Sequence, residues 1–406
     1  NLVEEAQGTK VPIQKVADKV TNIFVPAILV LTVLTFIGWI FFSGDWSRAL
    51  GAAISVLVIA CPCALGLAVP IALTVGSGMG AKRGILIRKG EAIQTMKEVK
   101  TVAFDKTGTI TKGKPEVTNF VIKVKENYFW EVCGSLEHMS EHPIAKAIVA
   151  KANLKNYKKV SSFSIIRGMG LEGKFGNKKI VIGNRALMNE KNISFKIIEE
   201  QIKSWEEEGK TTMIVAENSK VIGAVAVADA VKDDSIRAIN ALKMRGYRTV
   251  MITGDNETTA KAIAKQVGID EVIASVLPEE KAKKVEELQR RGMVAFVGDG
   301  INDAPALKQS NVSIAMGSGS DIAIEVGDIV LVKGSLIGVV QAINLSKATF
   351  KKIKQNLFWA FGYNVVAIPL AVAGVLNPIF AELAMALSSI SVVANANLLR
   401  RVRIKI

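Results

Sequence analysis

The sequence predicts a chain in two parts: a set of membrane-spanning helices, and an α/β domain that is interrupted by an inserted α+β domain. Half of the 406 residues are apolar, and the apolar excess lies in four runs near the two ends of the chain. The long stretch between them is charged and alternates strand and helix patterns, which is typical of a parallel sheet with helices on both faces. A basic, irregular region separates the first strand from the rest of this alternation.

The four apolar runs cover residues 23–42, 50–75, 357–375 and 379–399. Each approaches the length of about 20 residues that an α-helix needs to cross the hydrocarbon core. A buried core helix is the alternative for any single run. Because two pairs of runs flank a long charged middle, we expect a protein embedded in a lipid bilayer.

The net charge of +15 would suit a nucleic-acid partner, but its location argues against one. The short loops at 43–48 and 376–378 carry a single positive residue, Arg48. The positive-inside rule therefore predicts a cell-membrane protein with both termini and the long middle in the cytoplasm. Aromatic residues make up 6% of the chain and do not interleave with the basic clusters, so no nucleic-acid partner is expected. The clusters beside the apolar runs are Lys10, Lys15 and Lys19, then Lys347, Lys351, Lys352 and Lys354, and then Arg400, Arg401, Arg403 and Lys405.

The three cysteines, Cys61, Cys63 and Cys133, do not form the framework of a secreted disulfide-rich protein. No signal peptide precedes the first apolar run. The chain begins at Asn1 within a polar, helix-like stretch. We therefore expect a fragment of a longer protein.

The charged middle predicts one α/β domain with an insertion. A short apolar strand at 99–104 ends at Asp105, and further strand and helix patterns follow at 224–228, 234–244, 249–252, 258–267, 279–291 and 294–297. The region 118–224 contains strand-like pieces at 179–182 and 212–215 and reads as an inserted domain. The predicted domains are thus 1–76 (linker and two spans), 77–117 with 225–345 (α/β), 118–224 (insert) and 346–406 (two spans).

Asp105 stands where α/β sheets bind ligands, at the carboxyl end of a strand and before the loop that contains Gly108. Such a carboxylate can attack phosphorus and form an acyl phosphate. A loop aspartate beside a glycine turn is the alternative for an isolated D-x-T-G. Three further motifs argue against it, namely Thr253-Gly254-Asp255, Pro278-Glu279-Glu280-Lys281 and Gly298-Asp299-Gly300-Ile301-Asn302-Asp303. Together they supply the Mg²⁺-binding carboxylates and the cation that phosphoryl transfer needs.

In their order and approximate spacing, D-K-T-G-T, T-G-D, P-x-x-K and G-D-G-x-N-D resemble the motifs of the P-type ATPases. The resemblance implies a haloacid-dehalogenase-like, Rossmann-like phosphorylation domain with an inserted nucleotide-binding domain, and ATP and Mg²⁺ as cofactors. It makes Asp105 the aspartyl phosphate and places Thr253 and Lys281 on the phosphoryl oxygens. Asn302 and Asp303 would order their loop. Mg²⁺ would be held by Asp105, the Thr107 carbonyl, Asp299 and Asp303.

Within the insert, Ser140-Glu141-His142-Pro143, Gly168-Met169-Gly170 and Gly183-Asn184-Arg185 resemble the nucleotide domain of the heavy-metal branch of this family. A G-x-G alone is weak evidence, although glycines do let the backbone approach a ligand closely. Cys133 is expected in a core and His138 at the surface. The resemblance places adenine and ribose of ATP among Glu137, His142, Gly168, Gly170 and Asn184.

Cys61-Pro62-Cys63 lies in the middle of the second apolar run. Proline removes a helix hydrogen bond, so the helix is expected to open there. The freed polar groups are tolerable only inside a helix bundle or beside a cavity. Two thiols suit Cu(I) or Zn²⁺, the alternative being two small buried residues beside a kink. Cys-Pro-Cys is also the mark of the heavy-metal branch.

The later spans favour a monovalent cargo. They contain Asn356, Tyr363-Asn364 and Met385-Ala386-Leu387-Ser388-Ser389, which resemble the Cu(I) and Ag(I) exporters. The zinc-class pumps instead carry a lysine in the third span and an aspartate in the fourth, whereas here the fourth span contains Glu382 outside the expected motif. Met385 as core filler remains an alternative. The resemblance implies copper ligands at Cys61, Cys63, Tyr363, Asn364, Met385 and Ser389.

Three readings therefore stand in order: an ATP-driven Cu(I) exporter, a Zn²⁺/Cd²⁺-class pump, and a membrane-tethered phosphatase of the dehalogenase type. The family's actuator domain carries a Thr-Gly-Glu loop, but the Thr-Gly pairs of this sequence, Thr107-Gly108 and Thr253-Gly254, are not followed by glutamate. We therefore expect that the actuator and the helices before it are not part of this sequence. A copper-delivering chaperone or thiol carrier is the expected partner, and the protein is expected to be monomeric.

Overall fold

A computed structural model describes residues 11–299 and 301–404, and these fall into two units. The helical unit contains the described residues up to 98, then 328–333 and 338 onwards, and the α/β unit contains 99–327 and 334–337. Lys10 and Lys405 of the predicted basic clusters lie outside the described residues. The helices are α1 Pro12–Ser43, α2 Trp46–Ile59, α3 Cys63–Ala81, α4 Gly90–Thr95, α5 Glu126–Glu137, α6 Pro143–Ala152, α7 Arg185–Glu190, α8 Glu199–Glu207, α9 Ser235–Lys243, α10 Glu257–Val267, α11 Lys281–Gln289, α12 Ala304–Gln309, α13 Asp321–Val326, α14 Ile337–Val372 and α15 Pro378–Asn397. The strands are β1 Ile85–Ile87, β2 Val99–Asp105, β3 Glu116–Ile122, β4 Val160–Ile166, β5 Gly170–Phe175, β6 Lys178–Gly183, β7 Thr211–Glu217, β8 Lys220–Ala228, β9 Arg248–Ile252, β10 Glu271–Ile273, β11 Met293–Gly298, β12 Val312–Met316 and β13 Ile329–Leu331.

Three helical stretches of the described chain are long and apolar enough to cross a membrane: α1, the stretch Trp46–Ala81, and Pro378–Arg401. They contain three of the four predicted runs. The remaining run, 357–375, forms the second half of α14, which ends at Val372. Gln355, Asn356 and Asn364 lower the mean hydropathy of that helix, so its length and composition alone do not mark it as a span.

The second predicted span is interrupted at its proline, as expected. α2 ends at Ile59, and α3 begins at Cys63 with Pro62 as its N-cap residue. Proline has no N–H to donate to the preceding turn, which favours a break at Pro62, although other prolines lie inside α1, α3 and α14 without ending them. The Cys-Pro-Cys segment is therefore irregular backbone between two apolar helices.

Small residues let the helices pack closely on both sides of this break. Before it, Ala60 belongs to a buried cluster with Ala367 of α14 and Ala381 of α15. After it, Ala64 shares a cluster with Ala360 and Val392 of the same two helices. The break therefore faces the stretches of α14 and α15 that lie between these contacts.

The α/β unit contains a parallel sheet with the strand order β12-β11-β2-β9-β10. β2 lies near the centre, where Phe104 is opposite Val297 of β11 and Asp105 is opposite Ile252 of β9. The residues that follow these three strands therefore meet at one edge of the sheet. This agrees with the predicted α/β architecture.

The insert is a separate antiparallel sheet with the order β3-β8-β7-β6-β5-β4. Buried clusters around Phe129 and around Ile202 form its hydrophobic cores. The prediction that residues 224–228 belong to the parallel sheet is wrong, because β8 pairs with β3 and β7. A short apolar strand has the same local pattern in either sheet, so its partners are not visible in the sequence. The predicted boundary at 224 also falls inside this strand.

Candidate phosphoryl-transfer and metal sites

A lysine lies between two buried carboxylates at the carboxyl edge of the parallel sheet. Asp105 ends β2, and Lys281 begins α11 after a short 3₁₀ turn at Pro278–Glu280. Lys281 Nζ donates to Asp105 Oδ1 at 2.6 Å and to Asp303 Oδ1 at 2.7 Å. The structure thus brings together residues from three of the predicted motifs.

Asp299 completes a cluster of three carboxylates. Within the described residues, ligand atoms of Asp105, Asp299 and Asp303 lie within 4.8 Å of one another. Burial, and then repulsion by Asp303, raise the pKa of Asp105 to about 7 and that of Asp299 to about 6. Burial alone would lower the pKa of Lys281, but Asp105 and Asp303 raise it above its ordinary value. The cluster carries more negative charge than one lysine neutralises, which fits a hard divalent cation such as Mg²⁺.

The loop after Asp105 approaches this cluster so closely that one position requires glycine. Gly108 has φ +70°, and a Cβ atom there would overlap the Asp299 carboxylate. Thr107, predicted to offer its carbonyl to Mg²⁺, is half-buried in the same turn. The glycine therefore lets the loop after Asp105 and Asp299 share one small space.

Thr253 and Asn302 lie in the loops after β9 and β11. Thr253 is buried, and its Oγ1 accepts a hydrogen bond from the Asp255 N–H at 3.2 Å. Asn302 is exposed beside the buried Asp303. Thr253 therefore stands at the same sheet edge as Asp105, whereas the predicted role of Asn302 in ordering its loop stays a prediction.

Two residues that the sequence did not single out anchor the loop after Asp105 to the end of the insert. Asp229 accepts hydrogen bonds from Thr111 Oγ1 at 2.5 Å and from the Gly113 N–H at 3.1 Å. Lys232 Nζ donates to the carbonyl oxygens of Gly108 at 2.6 Å and Gly334 at 3.0 Å. The usable signal was the concentration of charged residues directly after β8, from Asp229 to Asp234.

His142 is the N-cap residue of α6, where its Nδ1 accepts a hydrogen bond from the Ile144 N–H at 3.2 Å. Desolvation lowers the pKa of its imidazole; Lys106 acts in the same direction, and Asp255 opposes it. Lys106 and Asp255 themselves form an ion pair at 2.5 Å. A neutral imidazole can stack on a base or accept a hydrogen bond.

The predicted Gly168, Gly170 and Asn184 come together at one end of β5 and β6. Asn184 Nδ2 donates to the Gly168 carbonyl at 3.0 Å, and Gly170 is opposite Gly183 in the sheet. Gly170 has φ +150°, and a Cβ there would collide with Gly183 Cα. This glycine is therefore required by the neighbouring strand, independently of any nucleotide.

Glu137 ends α5, whose Leu136 shares a core cluster with Leu171 of β5. The Glu137 side chain is buried, and its Oε1 has no hydrogen-bond partner within the described residues. Burial raises the pKa of Glu137 to about 8. It is thus a neutral acid near pH 7, able to donate a hydrogen bond. Cys133, on the same helix, is buried in the core as predicted.

The structure joins the sulfur atoms of Cys61 and Cys63 in a disulfide, with their Cα atoms 5.5 Å apart. A disulfide and metal ligation are alternative uses of the same two sulfurs, because only thiolates ligate well. The predicted copper role therefore concerns the reduced pair.

The other predicted copper ligands lie on α14 and α15, between the packing contacts that flank the Cys-Pro-Cys break. Asn364 is buried, Tyr363 and Met385 are half-buried, and Tyr363 Oη and Ser391 Oγ are hydrogen-bonded at 3.1 Å. Ser389 is half-buried, whereas Ser388 is buried and its Oγ has no hydrogen-bond partner among the described residues. Sequence reasoning missed Ser388, and helical phase does not separate it from Ser389, because positions three and four residues after Met385 lie on the same face.

A buried aspartate with a lysine and two further carboxylates, at the carboxyl edge of a parallel sheet, has the composition of a phosphoryl-transfer site in an α/β hydrolase. In agreement, a haloacid dehalogenase-like hydrolase profile matches residues 99–311, and a second with the same description matches 280–343.

Relatives and solved structures narrow this class. The chain is 49% identical over 408 residues to a copper-exporting P-type ATPase of Staphylococcus saprophyticus, covering 99% of this chain and 51% of that protein. It is 50% identical over 412 residues to a probable copper-importing P-type ATPase A of Enterococcus hirae, covering 100% of this chain and 56% of the relative. The chain thus spans about half the length of the curated relatives it matches.

A zinc-transporting PIB-type ATPase in the E2.Pi state matches with 34% identity and a TM-score of 0.73, covering 98% of this chain and 66% of that one. The catalytic domain of the CPx-ATPase CopB-B matches with 30% identity and a TM-score of 0.52, covering 67% of this chain and 98% of that one. The chain therefore belongs to the haloacid dehalogenase-like hydrolases and, within them, to the heavy-metal (type IB) P-type ATPases.

Proposed function

We propose that this chain is the catalytic and ion-translocating part of an ATP-driven Cu(I) exporter that is phosphorylated on Asp105. The observation that carries the proposal is the buried cluster in which Lys281 contacts Asp105 and Asp303 while Asp299 lies within metal-sharing distance. The family membership and the names of the copper-transporting relatives support it.

The chemistry follows from the cluster. An Asp105 carboxylate oxygen attacks the γ-phosphorus of ATP, an O–P bond forms, and ADP leaves with the electrons of the broken bond. Asp105, Thr107, Asp299 and Asp303 would hold Mg²⁺, which neutralises charge on the transferred group. Lys281, already within hydrogen-bond distance of the nucleophile, is placed to donate to a phosphoryl oxygen, and Thr253 can donate from the next strand end.

The insert would bind the nucleotide through Glu137, His142, Gly168, Gly170 and Asn184. A test is His142→Gln, since loss of one polar or stacking contact is worth roughly 1–2 kcal/mol and should weaken ATP binding about five- to thirtyfold. Metal binding in the helical unit should be unchanged. Unaltered ATP affinity in this variant would place the nucleotide elsewhere.

Copper is favoured over zinc as the cargo because the candidate site combines two thiols with neutral ligands. Thiolate and thioether ligands are soft and suit Cu(I), and Met385 adds a thioether to the two thiols, whereas carboxylates suit harder cations. Tyr363, Asn364, Met385 and Ser389 are neutral. Ser388, whose hydroxyl has no hydrogen-bond partner among the described residues, is a further candidate. The zinc-transporting structural relative keeps the second candidate open, and metal-dependent ATPase assays on the full-length protein separate the two. A phosphatase that moves no ion is excluded if either metal stimulates phosphorylation.

Asp105→Asn tests the phosphorylation step. An amide cannot replace the carboxylate nucleophile, so γ-labelled ATP with metal should label the full-length wild-type protein and not this variant. Hydroxylamine-sensitive label on the variant would overturn the assignment.

Cys63→Ser tests the cargo site, and Cys61→Ser is its companion. Each should abolish copper-dependent phosphorylation under reducing conditions and leave ATP binding within about twofold of wild type, because the helical unit and the insert do not share ligands. Normal copper transport by Cys63→Ser would refute the ligand role.

Transport direction needs its own measurement, because one relative is named an exporter and another a probable importer. Copper accumulation in inside-out vesicles containing the full-length protein is the expected result for export. We further propose that the α/β unit and both termini lie in the cytoplasm. A chaperone or thiol carrier would deliver the copper, and the protein would be a monomer.

A further inference from the structure

A basic cavity of about 670 Å³ in the helical unit serves neither the phosphorylation site nor the copper site. Five lysines, three aromatic side chains and two amides line it. Among the residues that the structure describes, no carboxylate lines this cavity. It lies beside α14, at the level along the helix axis where the apolar run begins.

The lysines form a row on one helix face. Lys347, Lys351 and Lys354 are separated by four and three residues, which places them on the same side of α14, and all three are exposed. Lys97 approaches from the chain after α4, with its Nζ 4.8 Å from the centroid of the Phe350 ring. Like charges that share one cavity repel each other, so the cavity favours an anion.

An aromatic surface continues the same face towards the membrane. Phe358 and Trp359 line the cavity and are 69% and 45% exposed. They stand at the start of the apolar run of α14. Lysine next to aromatic side chains at the end of a span is typical of the headgroup level of a bilayer.

A chain of hydrogen bonds fixes the wall of the cavity. Lys352 Nζ donates to Asn395 Oδ1 at 2.8 Å, Asn395 Nδ2 to Asn356 Oδ1 at 2.8 Å, and Asn356 Nδ2 to the Ala68 carbonyl at 2.9 Å. These bonds join α14 to α15 and α3. The lysines are therefore presented from a fixed helix and not from a mobile basic tail.

We propose that this cavity binds the headgroup of one anionic phospholipid. The phosphodiester would lie against Lys97, Lys351 and Lys354, and the start of the acyl chains along Phe358 and Trp359. A free phosphate would leave the aromatic wall unused. The proposal requires only that the helical unit is embedded in a membrane.

Quenching of Trp359 fluorescence tests the proposal in the purified chain in mild detergent. Phosphatidylglycerol with brominated acyl chains should quench the indole saturably, and the difference from Trp359→Phe isolates this residue from the other tryptophans. Brominated phosphatidylcholine should bind at least about tenfold more weakly, because its net charge is zero. Equal quenching by the two lipids would overturn the proposal.

Lys351→Gln/Lys354→Gln should weaken phosphatidylglycerol binding about 25-fold, at roughly fivefold for each lysine near the membrane surface. The matched control is Lys15→Gln/Lys19→Gln, which removes two exposed lysines from α1 and should leave the affinity unchanged. Equal weakening by both pairs would show diffuse surface attraction and refute a site. Displacement of the lipid by millimolar inorganic phosphate would also refute it, in favour of a free-anion site. If the double variant does not fold, Lys97→Gln should weaken binding about fivefold, and an unchanged affinity would refute the proposal.

Discussion

Glu137→Gln is expected to stabilise the insert at alkaline pH. The carboxyl is buried at the end of α5, and burial raises its pKa from 4.5 to about 8. Its Oε1 has no hydrogen-bond partner within the described chain. Glutamine has the same shape and cannot ionise, so it retains the neutral state that this position favours.

The sign follows from proton binding. The folded insert binds this proton more tightly than the unfolded chain, so the free energy of unfolding falls as pH rises from about 4.5 to about 8 and then levels off. At about 1.4 kcal/mol per pH unit, the loss is at most about 5 kcal/mol. We expect the free energy of unfolding of Glu137→Gln to exceed that of wild type by about 2–5 kcal/mol at about pH 9. At about pH 5 the two values should lie within about 1 kcal/mol of each other.

Urea unfolding of a soluble fragment covering residues 112–232 measures this, with Trp130 and Trp205 as fluorescent reporters. Glu206→Gln is the control, because Glu206 is also buried but pairs with Arg185 Nε at 3.0 Å. Glu206→Gln should lower the free energy of unfolding by about 1–3 kcal/mol at every pH. A wild-type stability that does not change between about pH 6 and 8, or a Glu137→Gln fragment less stable than wild type at about pH 9, would refute the reasoning.

Three further substitutions test the packing of the α/β unit. Lys281→Met removes the cation beside Asp105, so thermal unfolding should show a stability lower by roughly 3–5 kcal/mol, which Mg²⁺ partly restores. A loss of stability that Mg²⁺ does not affect would contradict the metal site. Gly108→Ala places a methyl group on the Asp299 carboxylate and should abolish labelling by γ-labelled ATP in the full-length protein, while the same full-length variant still binds ATP; retained labelling would show that the two groups are not so close. Gly170→Ala should destabilise the insert by about 2–4 kcal/mol in urea, since its φ and the adjacent strand both exclude a side chain; an unchanged midpoint would contradict that geometry.

The convergence of Asp105, Thr253 and Asp299 was predictable from the sequence, for a simple reason. Each directly follows an apolar strand, and the carboxyl ends of parallel strands meet at one edge. A break at Pro62 was predictable as well, because proline removes a hydrogen bond from its own helix. The proline alone does not explain why the helix ends there, since α1, α3 and α14 continue through theirs.

Features that depend on distant partners were not predictable. The strand β8 has no local sign of which sheet it joins, and Asp229 gains its role only when β8 returns the chain to Thr111. In the membrane part, the motif indicated Ser389, while packing of α15 buries Ser388 instead. A sequence pattern shows the residue types and the periodicity of a helix. Which face of an apolar helix is buried depends on the helices that pack against it.

The central position of β2 in its sheet has a consequence for biosynthesis. Its neighbours β9 and β11 are both translated after the whole insert, whereas β4 to β8 pair mainly with the next strand along the chain. Because contacts that close long loops form last, the insert can fold while the ribosome is still producing the rest of the α/β unit. Asp105 is thus among the first residues of the α/β unit to leave the ribosome. Its site is completed late, because Lys281, Asp299 and Asp303 are translated near the end of that unit. A nascent chain can hold a folded insert well before the surroundings of Asp105 are complete.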